Sequence, residues 1–172
     1  MDINALKKIQ YGMYIISSAA EGKMSAQLSN TVFQITADPV QFAISISKQN
    51  FTYELIEKSG KFAITALSED APFEFMGKFG FKSGRSINKF EKVSHEISAA
   101  GIPAVLDFAA AVYEAETVKK IDMDTHVVFI GKITDMKIID DSKNAMTYDY
   151  YRKVKGGLTA KNAPTYTKTN KI

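Results

Sequence analysis

Cysteine is absent from all 172 residues of the sequence. Its absence excludes disulfides, thiolate nucleophiles, iron–sulfur clusters and cysteine-based zinc sites. Tryptophan is also absent, so any aromatic stacking must come from phenylalanine and tyrosine. The two histidines, His95 and His126, are too few for a histidine-rich metal site without carboxylate ligands, and we expect no metal centre.

Long apolar runs are also missing. No stretch approaches the roughly 20 apolar residues that a membrane-spanning helix needs. The first residues lack the ordered basic, apolar and cleavage segments of a signal peptide. We therefore expect a cytoplasmic protein without membrane contact. The chain is 45% hydrophobic and 24% charged, which is typical of a globular protein with one core.

Acidic residues are absent from the end of the chain. Six basic residues and no acidic one lie from Arg152 onward, so the preceding part has 16 basic against 19 acidic residues. Six charges over this length are sparse for nucleic-acid binding, and we expect no nucleic-acid partner. An anionic small ligand or an acidic protein fits the charge density better. A nucleic-acid-binding or structural β-barrel is kept as a third hypothesis.

The apolar pattern predicts many strands and few helices. The spacing of Ile3, Leu6 and Ile9 predicts a short first helix, and further helices are predicted at 52–59, ending at Gly60, and after Pro72. Predicted β-runs cover 11–20, 24–36 (as one strand), 40–47, 61–67, 104–121 and 125–139. This order predicts a mainly β barrel or sandwich with short crossover helices. We expect one domain over 1–148 and a C-terminal arm over 149–172 without helical or strand period.

One strand-to-helix junction, SKQNFTYELI, is rich in polar residues. The Gly-rich motifs that cradle phosphates are absent from the sequence, but the N-terminus of a helix also binds anions through its N–H groups and dipole. Asn50 and Thr52 would supply polar contacts there, with Lys48 as counter-charge. The local pattern alone favours an ordinary helix cap.

Other polar residues allow two interpretations each. Ser29, Asn30 and Thr31 stand in an apolar β-run and face either solvent or the polar edge of a ligand. Lys89 is either a loop charge or a ligand contact. His126 begins the strongest β-run and is either structural or a group that donates or shuttles protons.

Five stretches in order resemble the flavin reductase-like family, the FMN-binding split barrels. They extend over nearly the whole chain, and the last looks most like the flavin domains of high-molecular-weight rubredoxins and the related flavoredoxins and ferric reductases. The stretches are SNTVFQITADP, ISISKQNFTYELIEKSGKFAITAL, FGFKSGRSINKF, THVVFIGKI and TYDYYRKVKGGLTAKNAPTY. Asn88 stands where the family usually has an acid, and DTH stands where it has Gly-Asp-His.

The resemblance implies a dimeric, Greek-key-like FMN-binding split β-barrel with the flavin near the subunit interface. It implies that Asn30 and Thr31 lie along the ring edge, and that Lys89 and His126 approach the cofactor. His126 is the catalytic candidate, placing the nicotinamide or supporting charge near the reduced flavin. The cofactor-binding residues that it predicts are Ser29, Asn30, Thr31, Ser47, Lys48, Asn50, Phe51, Thr52, Ser83, Lys89 and His126, with Ser47, Lys48, Asn50 and Thr52 at the phosphate.

The resemblance also implies the activity. We expect an NAD(P)H-dependent flavin reductase-type oxidoreductase that uses FMN rather than FAD and passes electrons to a separate acceptor. The alternative is an FMN-binding electron carrier without its own nicotinamide site. Relatives with a fused rubredoxin continue into a cysteine-rich iron site, so a rubredoxin-like partner of this cysteine-free chain would be a separate protein.

Overall fold

The computed structural model describes residues 1–167, which form a β-rich fold with short helices. The helices are a 3₁₀ helix at Ile3–Lys8, α1 at Phe51–Ser59, α2 at Phe73–Gly80 and α3 at Tyr148–Lys153. The strands are β1 Tyr14–Ala20, β2 Lys23–Ser29, β3 Val32–Ala37, β4 Val40–Ser47, β5 Lys61–Leu67, β6 His95–Ile97, β7 Pro103–Val105, β8 Ala109–Met123 and β9 His126–Ile138.

The main sheet has seven strands in the order β2-β1-β5-β8-β9-β4-β3, and every neighbouring pair is antiparallel. Its two edge strands, β2 and β3, are consecutive in the chain and are joined only by Asn30 and Thr31. The sheet must therefore curl until its edges meet at this connection, which gives a barrel split between β2 and β3. The predicted mainly β fold with short crossover helices is confirmed.

Three sequence predictions about elements were wrong. The run 104–121, predicted as one strand, is divided between β7 and β8, because β7 pairs with β6 in a separate two-stranded sheet whereas β8 pairs with β5. The run 24–36, predicted as one strand, is divided at Asn30 and Thr31 because β2 pairs with β1 whereas β3 pairs with β4 at the opposite edge. The C-terminal arm, predicted without helical period, begins with α3. Thr147 caps this helix by accepting a hydrogen bond from the Tyr150 N–H at 3.1 Å. Six residues are too few to show a helical period.

Helix α1 covers one end of the barrel. Its own side chains Leu55 and Ile56 are buried, and Gly60 ends the helix in the left-handed conformation, at φ 66°. Glycine reaches this conformation without the strain that a Cβ would impose. The C-terminal end of α1 is thus fixed by Gly60, and its N-terminal end meets the end of β4.

The core has two main parts. The barrel interior is filled by aliphatic and phenylalanine side chains, including Ile16, Ile44, Phe62 and Phe129. The second part lies beneath α2 and includes Met76, Phe79 and Tyr151 of the C-terminal arm. Because Tyr151 is buried there, the arm is attached to the body at its first turn.

Among residues 1–167, the helices are all too short or too polar to cross a membrane. The same residues contain no group of histidine, aspartate and glutamate side chains arranged to hold a metal ion.

Candidate functional site

A cavity of about 290 Å³ opens where the end of the barrel meets the C-terminal arm. Its walls come from β2, the end of β4, the first turn of α1, the segment 79–84 after α2, and the arm at 158–165. Separate parts of the chain therefore converge on the cavity, and each of these walls brings polar groups.

The first turn of α1 faces this cavity. Asn50 is at the N-cap position, yet among residues 1–167 its side chain makes no capping hydrogen bond to the helix. Its Nδ2 donates instead to Gln27 Oε1 at 3.0 Å, and its Oδ1 accepts from Asn162 of the arm. Since the first N–H groups of a helix lack partners within the helix, this end presents backbone donors and a positive dipole to the cavity.

Buried hydroxyl groups surround this helix end. Thr52 is only 2% exposed, and its Oγ1 donates to the buried Ser25 Oγ at 3.4 Å. Ser47, at the end of β4, is also buried, and its Oγ accepts from the Gln49 N–H at 3.3 Å. Hydroxyls and backbone N–H groups on a helix N-terminus form the donor set that a phosphate prefers.

The loop after α2 closes the cavity from the other side. Gly84 packs so tightly that a Cβ there would lie 2.1 Å from Ser25 Oγ and 3.3 Å from Phe51 Cδ1. Ser83 Oγ accepts from the Arg85 N–H at 3.2 Å. Arg85 in turn donates to the Gln49 carbonyl at 3.0 Å, so the loop is fastened to the start of α1. A side chain at position 84 would therefore displace the Ser25 hydroxyl and press on Phe51.

Lys89 lies under the same loop and is only 2% exposed. Its ammonium donates to the carbonyls of Lys78 at 2.5 Å and Phe79 at 3.3 Å, and also to that of Lys82. Burial, followed by the nearby charges of Lys78 and Lys82, lowers the pKa of Lys89 to about 8. Lys89 thus binds the carbonyls at the end of α2 and holds the loop in place, while its side chain lines the cavity.

The connection between the sheet edges forms another wall. Ser29 and Asn30 are buried and line the cavity. Asn30 Nδ2 donates to Thr165 Oγ1 of the arm at 2.8 Å, and the Thr31 hydroxyl donates to Asn30 Oδ1 at 3.1 Å. The arm is therefore bound to the cavity walls by the side chains of Asn162, near α1, and of Thr165, near this connection.

His126 contacts the arm from the start of β9. One ring nitrogen, Nε2, lies 3.1 Å from the Asn162 carbonyl, and Nδ1 lies 2.8 Å from Thr125 Oγ1. Because a carbonyl only accepts, Nε2 carries a proton, and in the neutral ring Nδ1 then accepts from the threonine hydroxyl. In this arrangement His126 holds the arm beside the cavity.

Eight of the eleven predicted cofactor-binding residues line the cavity: Ser29, Asn30, Ser47, Asn50, Phe51, Thr52, Ser83 and Lys89. Thr31, Lys48 and His126 lie outside its lining. Both carboxylate oxygens of Asp122 accept from the Lys48 ammonium at 2.7 Å, which holds that charge on the surface. The roles predicted for all eleven residues stay predictions.

Sequence reasoning missed several lining residues, among them Ser25, Gln27, Tyr148 and Asn162. The first two had a signal, because Ser25, Gln27 and Ser29 alternate along β2 and therefore share one face. Tyr148 and Asn162 come from the arm and reach the site only through tertiary packing.

The donor set fits a flavin mononucleotide. The first turn of α1 and the hydroxyls of Ser25, Ser47 and Thr52 suit the phosphate, and Lys82 and Lys89 in the lining add positive charge. The remaining wall between Leu28 and Phe79 is apolar and suits an aromatic ring system.

The flavin reductase like domain matches residues 6–158. The chain belongs to this family. A member named high molecular weight rubredoxin, from Moorella thermoacetica, is 42% identical over 167 residues, which are 97% of this chain and 72% of that protein. A protein named ferric-chelate reductase (NAD(P)H), from Archaeoglobus fulgidus, is 39% identical over 166 residues, 96% of this chain and 98% of that one.

The fold is shared with solved structures. The crystal structure of an FMN-binding protein from Thermus thermophilus superposes with a TM-score of 0.69 at 22% identity, covering 78% of this chain and 74% of that one. The predicted flavin reductase-like family and the split-barrel fold are therefore confirmed.

Proposed function

We propose that this chain is a flavin-dependent oxidoreductase in which FMN takes a hydride from NAD(P)H and passes electrons to a separate acceptor. The observation that carries the proposal is the start of α1, which lacks a side-chain cap in the described structure and faces a cavity lined by buried hydroxyls. The relative named ferric-chelate reductase (NAD(P)H), at 39% identity, supports the same reaction type. Bound FMN supplies the hydride-accepting ring.

The residues at the start of α1 would bind and orient the cofactor phosphate. Backbone N–H groups of the first turn point to it, and the Ser47, Thr52 and Ser83 hydroxyls donate to its oxygens. Lys48 joins them only if its ammonium leaves Asp122, to which it is bonded at 2.7 Å. Lys89 contributes charge and keeps the 79–84 segment in position.

The residues at the sheet connection and in the arm would place the ring. Main-chain groups of Asn30 and Thr31 lie along its polar edge in this proposal. The arm completes the pocket, because Asn162 bonds to Asn50 at the start of α1 and Thr165 bonds to Asn30 at the sheet connection. His126 acts as the positioning group for the nicotinamide, with its Nε2 proton held at the Asn162 carbonyl.

Replacement of one hydroxyl tests this function. Thr52→Val removes the Oγ1 that faces Ser25 and the phosphate, whereas Thr117→Val removes a buried Oγ1 that has no hydrogen-bond partner in the described structure. We expect Thr52→Val to weaken FMN binding about tenfold or more, because the variant loses the charge-assisted hydrogen bond that the Thr52 hydroxyl would donate to the phosphate. Thr117→Val should bind FMN as the unmodified protein does. FMN titration followed by absorbance and fluorescence measures both.

The proposal fails if the purified protein is colourless and binds no FMN on reconstitution. It also fails if Thr52→Val lowers stability and leaves FMN affinity unchanged, because the hydroxyl would then serve only the fold.

A second candidate is an FMN-binding electron carrier without a nicotinamide site. The relative named high molecular weight rubredoxin favours it, because a separate rubredoxin-like protein would then be the electron partner. Stopped-flow mixing with NADH and with NADPH distinguishes the two functions. Rapid bleaching of the flavin supports the reductase, and no bleaching with either nucleotide supports the carrier.

We also propose that two copies form a homodimer through the outer face of β3, β4, β9 and β8. Phe33 lies opposite Ala43, which lies opposite Ile130, and Val128 lies opposite Ile121. Directly opposite residues share a face of the sheet, and Val128 and Ile130 are two positions apart on β9, so these side chains lie on the same face in two neighbouring rows. Phe33 is 58% exposed and Ile121 is 40% exposed in the single chain. A second copy would cover them.

A further inference from the structure

A second cavity, of about 540 Å³, lies between the N-terminal 3₁₀ helix and α3. Its walls combine aliphatic side chains of the 3₁₀ helix with the cations Lys7, Lys8, Arg152 and Lys153. We call it the basic cleft. It is concave and has the size of a small-molecule site rather than the broad surface that a protein partner needs.

The basic cleft has an excess of positive charge. Asp149 is the one acid among its lining residues, and its carboxylate is paired with Lys153 at 2.8 Å. Within residues 1–167, no ion pair involves Lys7, Lys8 or Arg152. Cations gathered in a cleft with apolar walls attract anions and raise their local concentration.

The basic cleft shares a wall with the proposed flavin cavity. Tyr148, Pro164 and Thr165 line both cavities. On the flavin side, the Tyr148 ring is stacked on Tyr151 with centroids 6.0 Å apart, and on the cleft side it meets the edge of Tyr11 at 6.1 Å. The two cavities are thus separated by the thickness of one residue.

This wall distinguishes two kinds of ligand. Hydride transfer needs the reacting atoms to be about 3–3.5 Å apart, which a residue standing between them prevents. A single electron needs no such contact between donor and acceptor. A ligand in the basic cleft is therefore placed to receive electrons and not to deliver a hydride.

We propose that the basic cleft binds a small polyanionic one-electron acceptor, a polycarboxylate chelate of ferric iron, which takes electrons from the reduced flavin across the Tyr148 wall. This inference rests on the proposed function. Polycarboxylate chelates carry the negative charge that Lys7, Lys8 and Arg152 attract. One relative is itself named a ferric-chelate reductase.

The electrons and protons balance with NAD(P)H as the reductant. The hydride from NAD(P)H brings two electrons to the flavin, and each of two ferric ions takes one of them and becomes ferrous. The proton of the hydride is released to solvent. The products are NAD(P)⁺, one proton and two ferrous chelates.

Anaerobic stopped-flow measurements on the flavin-loaded protein test the proposal. The protein is reduced with one equivalent of NAD(P)H and then mixed with ferric citrate, and reoxidation is followed by flavin absorbance. In the double variant Lys8→Glu and Arg152→Glu, we expect the second-order rate constant to fall about tenfold or more, and the rate of the unmodified protein to fall with added salt. The control Lys23→Glu reverses an exposed charge at the start of β2, outside both cavities and outside the proposed dimer face, and should change neither rate.

Two further measurements distinguish a loss of acceptor binding from a folding defect of the double variant. Reduction of the flavin by NAD(P)H should be unchanged in the double variant. Redox-inert gallium citrate should slow reoxidation of the unmodified protein by ferric citrate in a competitive manner, without slowing its reduction by NAD(P)H.

Several outcomes overturn the inference. Equal ferric citrate rates in the double variant and the control would mean that the acceptor binds elsewhere. A parallel loss of reduction by NAD(P)H would assign the basic cleft to the dinucleotide instead, and failure of gallium citrate to compete would exclude a saturable chelate site. If the unmodified protein binds no flavin, or its flavin is not reduced, the proposed function itself has failed, which is a separate result.

Discussion

The buried ammonium of Lys89 makes a specific prediction about stability and pH. Burial lowers its pKa from 10.5 to about 8 in the folded protein. Between these two values the unfolded chain binds more protons at this position than the folded chain does. The free energy of unfolding therefore rises as pH increases through this range.

The size of the effect follows from the two pKa values. At about 1.4 kcal/mol per pH unit, a change from 10.5 to about 8 disfavours the folded state by about 3 kcal/mol when both states are protonated. From about pH 7.5 to about pH 9.5, titration of Lys89 should recover about 2 kcal/mol of this. Because the side chain is only 2% exposed, screening by solvent does not reduce the figure greatly.

Urea unfolding of the unmodified protein and of Lys89→Met measures the effect. Methionine is neutral and fills similar space, so groups other than Lys89 titrate alike in both proteins and their contributions cancel. The difference in unfolding free energy between the two should change by about 2 kcal/mol across this pH range, in the direction that favours the unmodified protein at high pH. A constant difference would refute the reasoning and would mean that the ammonium is hydrated in the folded state.

Three other predictions concern packing, ion pairing and assembly. Gly84→Ala should lower the free energy of unfolding by about 1–3 kcal/mol and weaken FMN binding, because the alanine Cβ would lie 2.1 Å from Ser25 Oγ. Thermal unfolding and FMN titration measure the two effects, and an unchanged melting temperature would contradict the prediction. Lys48→Met should weaken FMN binding much less than Thr52→Val does, because Lys48 is paired with Asp122; an equal loss would place its charge at the phosphate. Phe33→Asp should shift the mass in sedimentation from two chains to one, whereas Lys23→Glu, on β2 outside this face, should not.

The strands and the junction before α1 were accessible from sequence because they depend on local pattern. β4 and β5 lie where the apolar pattern predicted them, and Gly60 ends α1 as predicted. The helix end was visible as a set of polar residues, although its local pattern favoured a cap. The family resemblance, not the local pattern, indicated an anion site there.

The arm and the loop after α2 were not accessible in this way. Asn162 reaches Asn50 across 112 positions of sequence, and no local pattern encodes such a contact. Likewise the pairing of Lys48 with Asp122 depends on β9 lying beside β4, which brings the turn after β8 next to the end of β4. The order of strands in the sheet therefore decides which side chains meet at a strand end, and the local sequence does not show that order.

The two-residue connection between β2 and β3 has a consequence for insertions and deletions. Side chains of a strand alternate between faces, so one added residue at Asn30 or Thr31 would exchange the buried Val32 with the exposed Phe33 unless the extra residue were absorbed elsewhere. The irregular pairing between Gln34 and Thr36 is a place where β3 already absorbs one such change of alternation. Length variation among relatives should therefore be found at this bulge and in the 98–102 turn, and the connection itself should keep two residues.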